Sequence, residues 1–148
     1  MTYVETSSGF VLRFFTGEEV YAGLVEFARH KGIEAAWVQG LGALECAEIG
    51  YFDLHERTYL RMQITEDVEV APLVGNLSRH QGEPVPHLHV TLGRRDFGAL
   101  AGHLFAGRAG ATLEICLWTW PGLTFERRLD EAAGLNLLSF PNEFAPAR

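Results

Sequence analysis

The chain has 148 residues, 47% of them hydrophobic, and a formal net charge of -7, which predicts one globular domain large enough to form its own core. No apolar run approaches membrane-spanning length and no basic-then-apolar leader opens the sequence, so we expect a soluble cytoplasmic protein with no membrane contact. The 12 Lys and Arg residues form no cluster beyond two doublets, which argues against direct nucleic-acid binding.

The first third of the chain predicts a strand followed by a helix. Gly9–Phe15 is a short apolar run, typical of a strand buried on both faces. Apolar residues then recur at helical spacing from Val20 to Ala28, with charged residues largely on the other side. Gly32 is expected to end this helix, because glycine readily adopts the left-handed conformation of a helix C-terminus.

Strands dominate the next part of the chain. The Gly-Leu-Gly at 40–42 indicates a bulge or close backbone approach rather than a dinucleotide loop, because an alternating strand follows it instead of a helix. Pro72 indicates an edge or bulge in its strand, since proline cannot donate to a ladder. The predicted strands are Ala35–Leu44, then Cys46–Asp53 and Thr58–Ile64 as a hairpin, then Val68–Leu77.

Two histidines share one face of the strand after Gly82. His87 and His89 alternate with Leu88 and Val90, so both imidazoles point away from the core. An isolated His-x-His pair is more often two partly exposed side chains than a metal site. His103 follows a polar turn at 94–98, long enough for the chain to return beside the pair. Three neutral imidazoles suit zinc or another divalent ion and leave a fourth position open for water or substrate.

The second half completes the predicted fold. Phe97–Phe105 is expected to be a short helix or crossover and residues 107–110 a turn, with strands around residues 112–118 and over Phe125–Leu129. The apolar tail from Gly134 is expected to dock on the domain or on a neighbouring subunit.

We therefore predict an α+β fold, a mostly antiparallel β-sheet flanked by one long and one or two short helices, as a single domain over residues 1–148 with a core of about 8–140.

Other polar residues are weaker candidates. Glu114 lies on the non-core face of its predicted strand and is our candidate for proton transfer, although a surface carboxylate is the commoner role for such a residue. Asn76 is either a hydrogen-bonding partner behind a metal ligand or a turn residue. Cys46 and Cys116 are expected to be free thiols of a reducing compartment. The remaining histidines, His30, His55 and His80, do not obviously join the site.

Seven landmarks together resemble the plants-and-prokaryotes conserved (PPC) domain family, over roughly residues 8–140. They are Gly-Phe-Val-Leu-Arg at 9–13, Gly-Glu-Glu-Val at 17–20, Gly-Leu-Gly-Ala-Leu at 40–44, Ile-Gly-Tyr-Phe-Asp at 49–53, Gly-Asn-Leu-Ser at 75–78, His-Leu-His-Val at 87–90 and Gly-His-Leu at 102–104. One departure is Ala101-Gly102, where the family often has two glycines before the last histidine.

The resemblance implies an antiparallel sheet flanked by helices, usually assembled as a homotrimer, with a metal site at His87, His89 and His103. The fold is also similar to the half-domain of acetolactate decarboxylase, a zinc enzyme that holds its metal with a His-x-His pair and a later histidine. In plant relatives the domain follows an AT-hook, an Arg-Gly-Arg-Pro type segment, and this sequence contains none. The DNA-reading part of those proteins therefore does not transfer.

Two functional hypotheses follow. The first is a zinc-dependent enzyme of the lyase or hydrolase type, or a binding protein, that uses the three histidines to take up a small polar molecule. The second is a non-catalytic oligomerisation or ligand-sensing module that associates with DNA only through partners. Three ligands without a fourth protein donor favour an open site over a closed structural one.

Overall fold

The computed structural model describes residues 1–142 as nine β-strands and one α-helix; residues 143–148 of the predicted domain lie outside this range. The elements in chain order are β1 (Thr2–Thr6), β2 (Gly9–Phe14), α1 (Val20–Lys31), β3 (Ala36–Asp53), β4 (Thr58–Ile64), β5 (Val68–His80), β6 (Glu83–Gly93), β7 (Ala99–Thr119), β8 (Glu126–Asp130) and β9 (Leu135–Ser139).

Four long strands pair in a closed circuit that encloses the core. Strand β3 pairs with β5 and β7, and β6 pairs with the same two strands, all antiparallel. Because side chains alternate along a strand, one face of this circuit is apolar: Leu88, Val90 and Leu92 of β6 are almost fully buried beside Leu104 and Leu113 of β7. The histidines of β6 therefore lie on the outer face.

The predicted antiparallel sheet is confirmed, but the flanking helices are not. Helix α1 is the only helix of residues 1–142 and has 12 residues, so the expected long helix with one or two short companions is wrong. Gly32 ends α1 with φ of 63°, as predicted. No helix in the described part of the chain is long and apolar enough to cross a membrane.

The segment predicted as a short helix or crossover, Phe97–Phe105, instead opens strand β7 from Ala99 onward. The expected turn at residues 107–110 also lies inside this strand. Between residues 99 and 109 the backbone of β7 faces β6 or β3 across a ladder. These cross-strand pairs override the helix preference of a local Ala-Leu-Ala sequence, which is worth only a fraction of a kcal/mol per residue.

The irregularities predicted from glycine and proline are confirmed. The β3–β5 register shifts between Gly40 and Gly42, and the β5–β6 register shifts between Val70 and Leu73, around Pro72. The predicted hairpin is β3 paired with β4. The apolar tail forms β9, which pairs with β8, and the β8–β9 pair joins the sheet through Arg79 of β5.

Gly75 of strand β5 lies opposite Leu88, where the backbone of β6 leaves no room for a side chain. A Cβ atom there would overlap the backbone carbonyl oxygen of His87. We predict that Gly75→Ala lowers the free energy of unfolding by about 1–3 kcal/mol, because backbone must move to relieve the overlap. Urea denaturation measures this change.

The matched control is Gly93→Ala on β6, where a Cβ would make ordinary contact with Glu69 at 3.5 Å. We expect that variant to change stability by no more than about 0.5 kcal/mol. Equal unfolding free energies for the two variants would contradict a tight approach at Gly75.

Candidate metal centre

The three histidines come from two adjacent strands whose register brings them together. His89 of β6 lies opposite His103 of β7, and His87 lies two residues along β6 on the same face, opposite Asn76 of β5. On its other side, His103 pairs with Gly50 of β3. The antiparallel pairing thus converts a sequence separation of more than ten residues into direct neighbours.

The three imidazole rings form a compact triangle. Ring centroids lie 5.2 Å apart for His87 and His89, 5.1 Å for His87 and His103, and 5.5 Å for His89 and His103. One nitrogen from each ring lies within 4.8 Å of the others. His87 and His103 are half-buried and His89 is exposed, so the triangle opens toward solvent on one side.

Two of the rings are neutral at physiological pH. Burial, reinforced by the charge of Arg127, lowers the pKa of His87 from 6.5 to about 4. Burial also lowers the pKa of His103 to about 4, with further contributions from His89, Arg127 and Arg61. A neutral imidazole keeps a lone pair on one nitrogen, which is the form that binds metal ions.

Aromatic side chains build one wall beside His103. The His103 ring lies 4.6 Å from Phe105 and 5.5 Å from Tyr59 of β4, measured between centroids. Arg61 covers the outer face of Phe105 at 3.8 Å. Gly50 leaves room for this wall, because a Cβ there would collide with the rings of Phe105 and Tyr59. The wall shields one side of the site from water.

Behind His87 lies a buried arginine. Arg127 of β8 is only 6% exposed, and one of its terminal nitrogens, Nη2, lies 2.9 Å from Nδ1 of His87. The same nitrogen donates to Oδ1 of Asn76, also at 2.9 Å. Nε donates to Ser78 Oγ at 2.8 Å, and Nη1 donates to the carbonyl oxygen of Asn136 at 2.9 Å. The guanidinium thereby ties β5, β6, β8 and β9 together.

The two weaker candidates occupy different places. Asn76 is buried beside His87 and contacts Arg127, a position compatible with its predicted supporting role. Glu114 is exposed on β7 in a groove with Leu41 and Trp118. Glu114 is not among the side chains that converge with the three histidines.

Arg127, Tyr59 and Phe105 escaped the sequence analysis. Arg127 and Arg128 are adjacent in a polar doublet, yet Arg127 is buried and Arg128 is exposed. Nothing local separates them, since only the pairing of β8 with β5 and β9 decides which side chain turns inward. The aromatic residues at 59 and 105 read as ordinary strand residues, and only the pairing of β3 with β4 and β7 places them together.

The residues present fit a divalent transition metal. Nδ1 of His103 is buried and has no hydrogen-bond partner in residues 1–142, a costly state for a polar atom unless something binds it or its ring turns. Three imidazole nitrogen donors within one small triangle are the ligand type that zinc and its neighbours prefer. The three predicted ligands are therefore brought together, and no fourth candidate ligand joins them among the described residues.

Comparison with known proteins agrees with the fold. The sequence profile of the Plants and Prokaryotes Conserved (PCC) domain matches residues 1–121. The chain belongs to this family. The family resemblance seen in the sequence landmarks is thus confirmed. Among curated proteins, none matches the chain in sequence.

Two solved structures have the same fold over nearly the whole chain. A metal-containing protein from Archaeoglobus fulgidus is 34% identical, with a TM-score of 0.83 over 95% of this chain and 100% of that one. A protein from Ralstonia eutropha JMP134 called "Putative DNA-binding protein" is 26% identical, with a TM-score of 0.87 over 94% and 96% of the two chains.

The expected similarity to acetolactate decarboxylase is confirmed at the level of the fold. A Staphylococcus aureus protein of unknown function, described as similar to that enzyme, has a TM-score of 0.57 with this PCC chain. The likeness covers 78% of this chain and 54% of the other, at 9% identity. At that identity it shows a shared fold and nothing about activity.

The low pKa values of His87 and His103 predict that metal-free protein loses stability in acid. Between pH 6.5 and about 4 the unfolded chain takes up protons on these two rings while the folded chain does not. The free energy of unfolding should therefore fall as the pH falls through this window, and the contribution of these rings should level off below pH 4. Urea denaturation at a series of pH values with a chelator present measures the slope.

The control for this experiment is the exposed His55. We expect the double variant His87→Gln/His103→Gln to flatten the slope between pH 6.5 and 4, and His55→Gln to keep the slope of the wild type. If all three proteins gave the same slope, the two rings would not be held neutral by the fold.

Proposed function

We propose that this PCC-family protein binds a divalent metal ion, with zinc the best candidate, through His87, His89 and His103, and takes up a small polar molecule at the metal. The observation that carries the proposal is the convergence of three ring nitrogens within 4.8 Å. The unpartnered Nδ1 of His103 adds to it. The metal-containing relative from Archaeoglobus fulgidus supports the same reading.

Each residue has a distinct part in this proposal. Burial keeps the rings of His87 and His103 neutral, so each can offer a nitrogen lone pair to the metal. Exposed His89 completes the triangle at the solvent side. Tyr59 and Phe105 exclude water from one flank. A divalent ion bound there would supply Lewis acidity toward a carbonyl group or a water molecule. This chemistry suits a lyase or hydrolase, and it suits ligand binding without turnover equally well.

The metal proposal predicts that wild-type protein purified without added metal contains a stoichiometric divalent ion. His87→Ala and His103→Ala should each lower the affinity for zinc by more than about 100-fold, since losing a ligand costs more than losing a residue that orients one. Elemental analysis and competition with a chromophoric chelator give the two readouts. His55→Ala, which removes an exposed histidine, is the control. A wild-type protein as metal-poor as the variants would refute the site.

We also propose that the chain assembles as a homotrimer, as the alternative function of an oligomerisation module requires. The favouring observation is an apolar strip on the outer face of the sheet, where Val11, Leu41 and Trp118 are 40%, 61% and 37% exposed. Exposed apolar side chains grouped in this way usually mark a contact between proteins. The groove that they line also contains Glu114.

The oligomer proposal predicts that wild-type protein elutes as an assembly of three 16.4 kDa chains, measured by light scattering after size exclusion. Leu41→Lys should dissociate the assembly, because the interface would then have to bury an unpaired charge. Leu54→Lys, at a side chain 73% exposed in the turn after β3, should leave it intact. A monomeric wild type would refute the assembly, and an intact Leu41→Lys trimer would place the interface elsewhere.

Direct nucleic-acid binding is not part of the proposal, although two structural neighbours carry a DNA-binding name. The net charge of -7 opposes the phosphate contacts that such binding needs. We propose that any association with DNA runs through partners. We further propose a cytoplasmic location, because Cys46 and Cys116 are free thiols, the usual state of cysteine in a reducing compartment.

A further inference from the structure

Arg127 is a buried cation whose hydrogen-bond partners are all neutral. Its four acceptors are a hydroxyl, an amide oxygen, a backbone carbonyl and an imidazole nitrogen. No carboxylate of residues 1–142 forms an ion pair with it. Burying a charge without a counter-charge is costly. The arrangement therefore leaves a positive site that an anion would stabilise.

The hydrogen bond from Arg127 to His87 cannot persist once His87 ligates a metal. A guanidinium can only donate, so Nδ1 of His87 must accept, and the ring proton must then sit on Nε2. A neutral ring has a single lone pair. If a metal takes that lone pair through Nε2, Nδ1 carries the proton and faces Arg127 as a second donor. If the metal binds Nδ1 directly, the lone pair is used as well.

Metal ligation by His87 thus frees an N–H group of Arg127 next to the metal centre. We propose that Arg127 then turns from His87 to a ligand, and that the loaded site binds small carboxylates through this guanidinium. The inference rests on the proposed metal-binding function and names the class of ligand for the same site. Arg127 would be a ligand-binding residue here.

The number of free N–H groups favours a carboxylate. A guanidinium has five N–H groups, and the hydrogen bonds to Ser78, Asn136 and Asn76 use three of them. Release of His87 therefore leaves two, one on each terminal nitrogen. Two N–H groups are what a planar carboxylate takes in a bidentate pair, which is among the strongest hydrogen-bonded pairs in proteins. A neutral amide or alcohol would leave the buried charge uncompensated.

A purely structural role for Arg127 gives a different expectation. Its hydrogen bonds to β5 and β9 hold the β8–β9 pair against the circuit, so its removal should lower stability under either reading. Only if Arg127 binds the ligand does its removal also reduce the preference of the metal-loaded protein for a carboxylate over a neutral molecule of the same shape. That preference is therefore the quantity to measure.

The experiment uses cobalt(II) as a spectroscopic substitute for zinc. Full-length protein loaded with one cobalt ion is titrated with acetate, and separately with acetamide, at constant ionic strength, while the visible absorption of the metal is followed. We expect wild-type protein to bind acetate at least about tenfold more tightly than Arg127→Met does, since hydrogen bonds to charged groups contribute that much. Neither protein should respond to acetamide. Arg128→Met, which removes the exposed neighbouring charge, should match the wild type.

The two proposals fail in different ways. Absence of a cobalt spectrum in wild-type protein would refute the metal site. A cobalt spectrum with equal acetate affinity in wild type and Arg127→Met would refute the carboxylate inference alone. If Arg127→Met does not fold, nitrogen NMR on the wild type decides. His87 should carry its proton on Nε2 without metal, and the Arg127 Nε–H signal should shift with acetate only in zinc-loaded protein. A proton on Nδ1 in metal-free protein, or no shift with acetate, would overturn the inference.

Discussion

The register of β6 between β5 and β7 is the constraint on which the site depends. His89 meets His103, and His87 meets Asn76, because the antiparallel ladders place these residues directly opposite each other. A slip of one residue would turn both histidines of β6 into the core and expose Leu88. The closed circuit prevents such a slip, since β6 is paired on both edges and its alternate side chains are fully buried.

Burial and the neighbouring guanidinium keep the imidazoles of His87 and His103 neutral, and this has a consequence for ligands. Protonated rings would repel both Arg127 and a metal cation, whereas neutral rings offer lone pairs to either. Arg127 and a metal would then compete for His87, since one neutral ring cannot serve both. The site would consequently be positive in either state, through the guanidinium alone or through guanidinium and metal together.

Local alternation was enough to predict the face shared by His87 and His89, and glycine and proline chemistry was enough to predict the bulges. The short helix or crossover predicted over Phe97–Phe105 was wrong because its evidence was local, while β7 is fixed by its pairing with β6 and with β3, which is distant in sequence. Arg127 could not be predicted for the same reason. Its doublet with Arg128 carries no sign of which residue turns inward, and its partners come from β5, β6 and β9.

The shape of the site bears on whether a metal there would be structural or available to ligands. Structural zinc sites are closed by four protein donors, and here residues 1–142 supply three, with exposed His89 at the open side. The metal would also add little to the core, since the circuit is already closed by its own ladders and its apolar face is packed without the histidines. A cation held on the outer face by three donors, with a buried guanidinium behind one of them, is placed to meet a ligand from solvent.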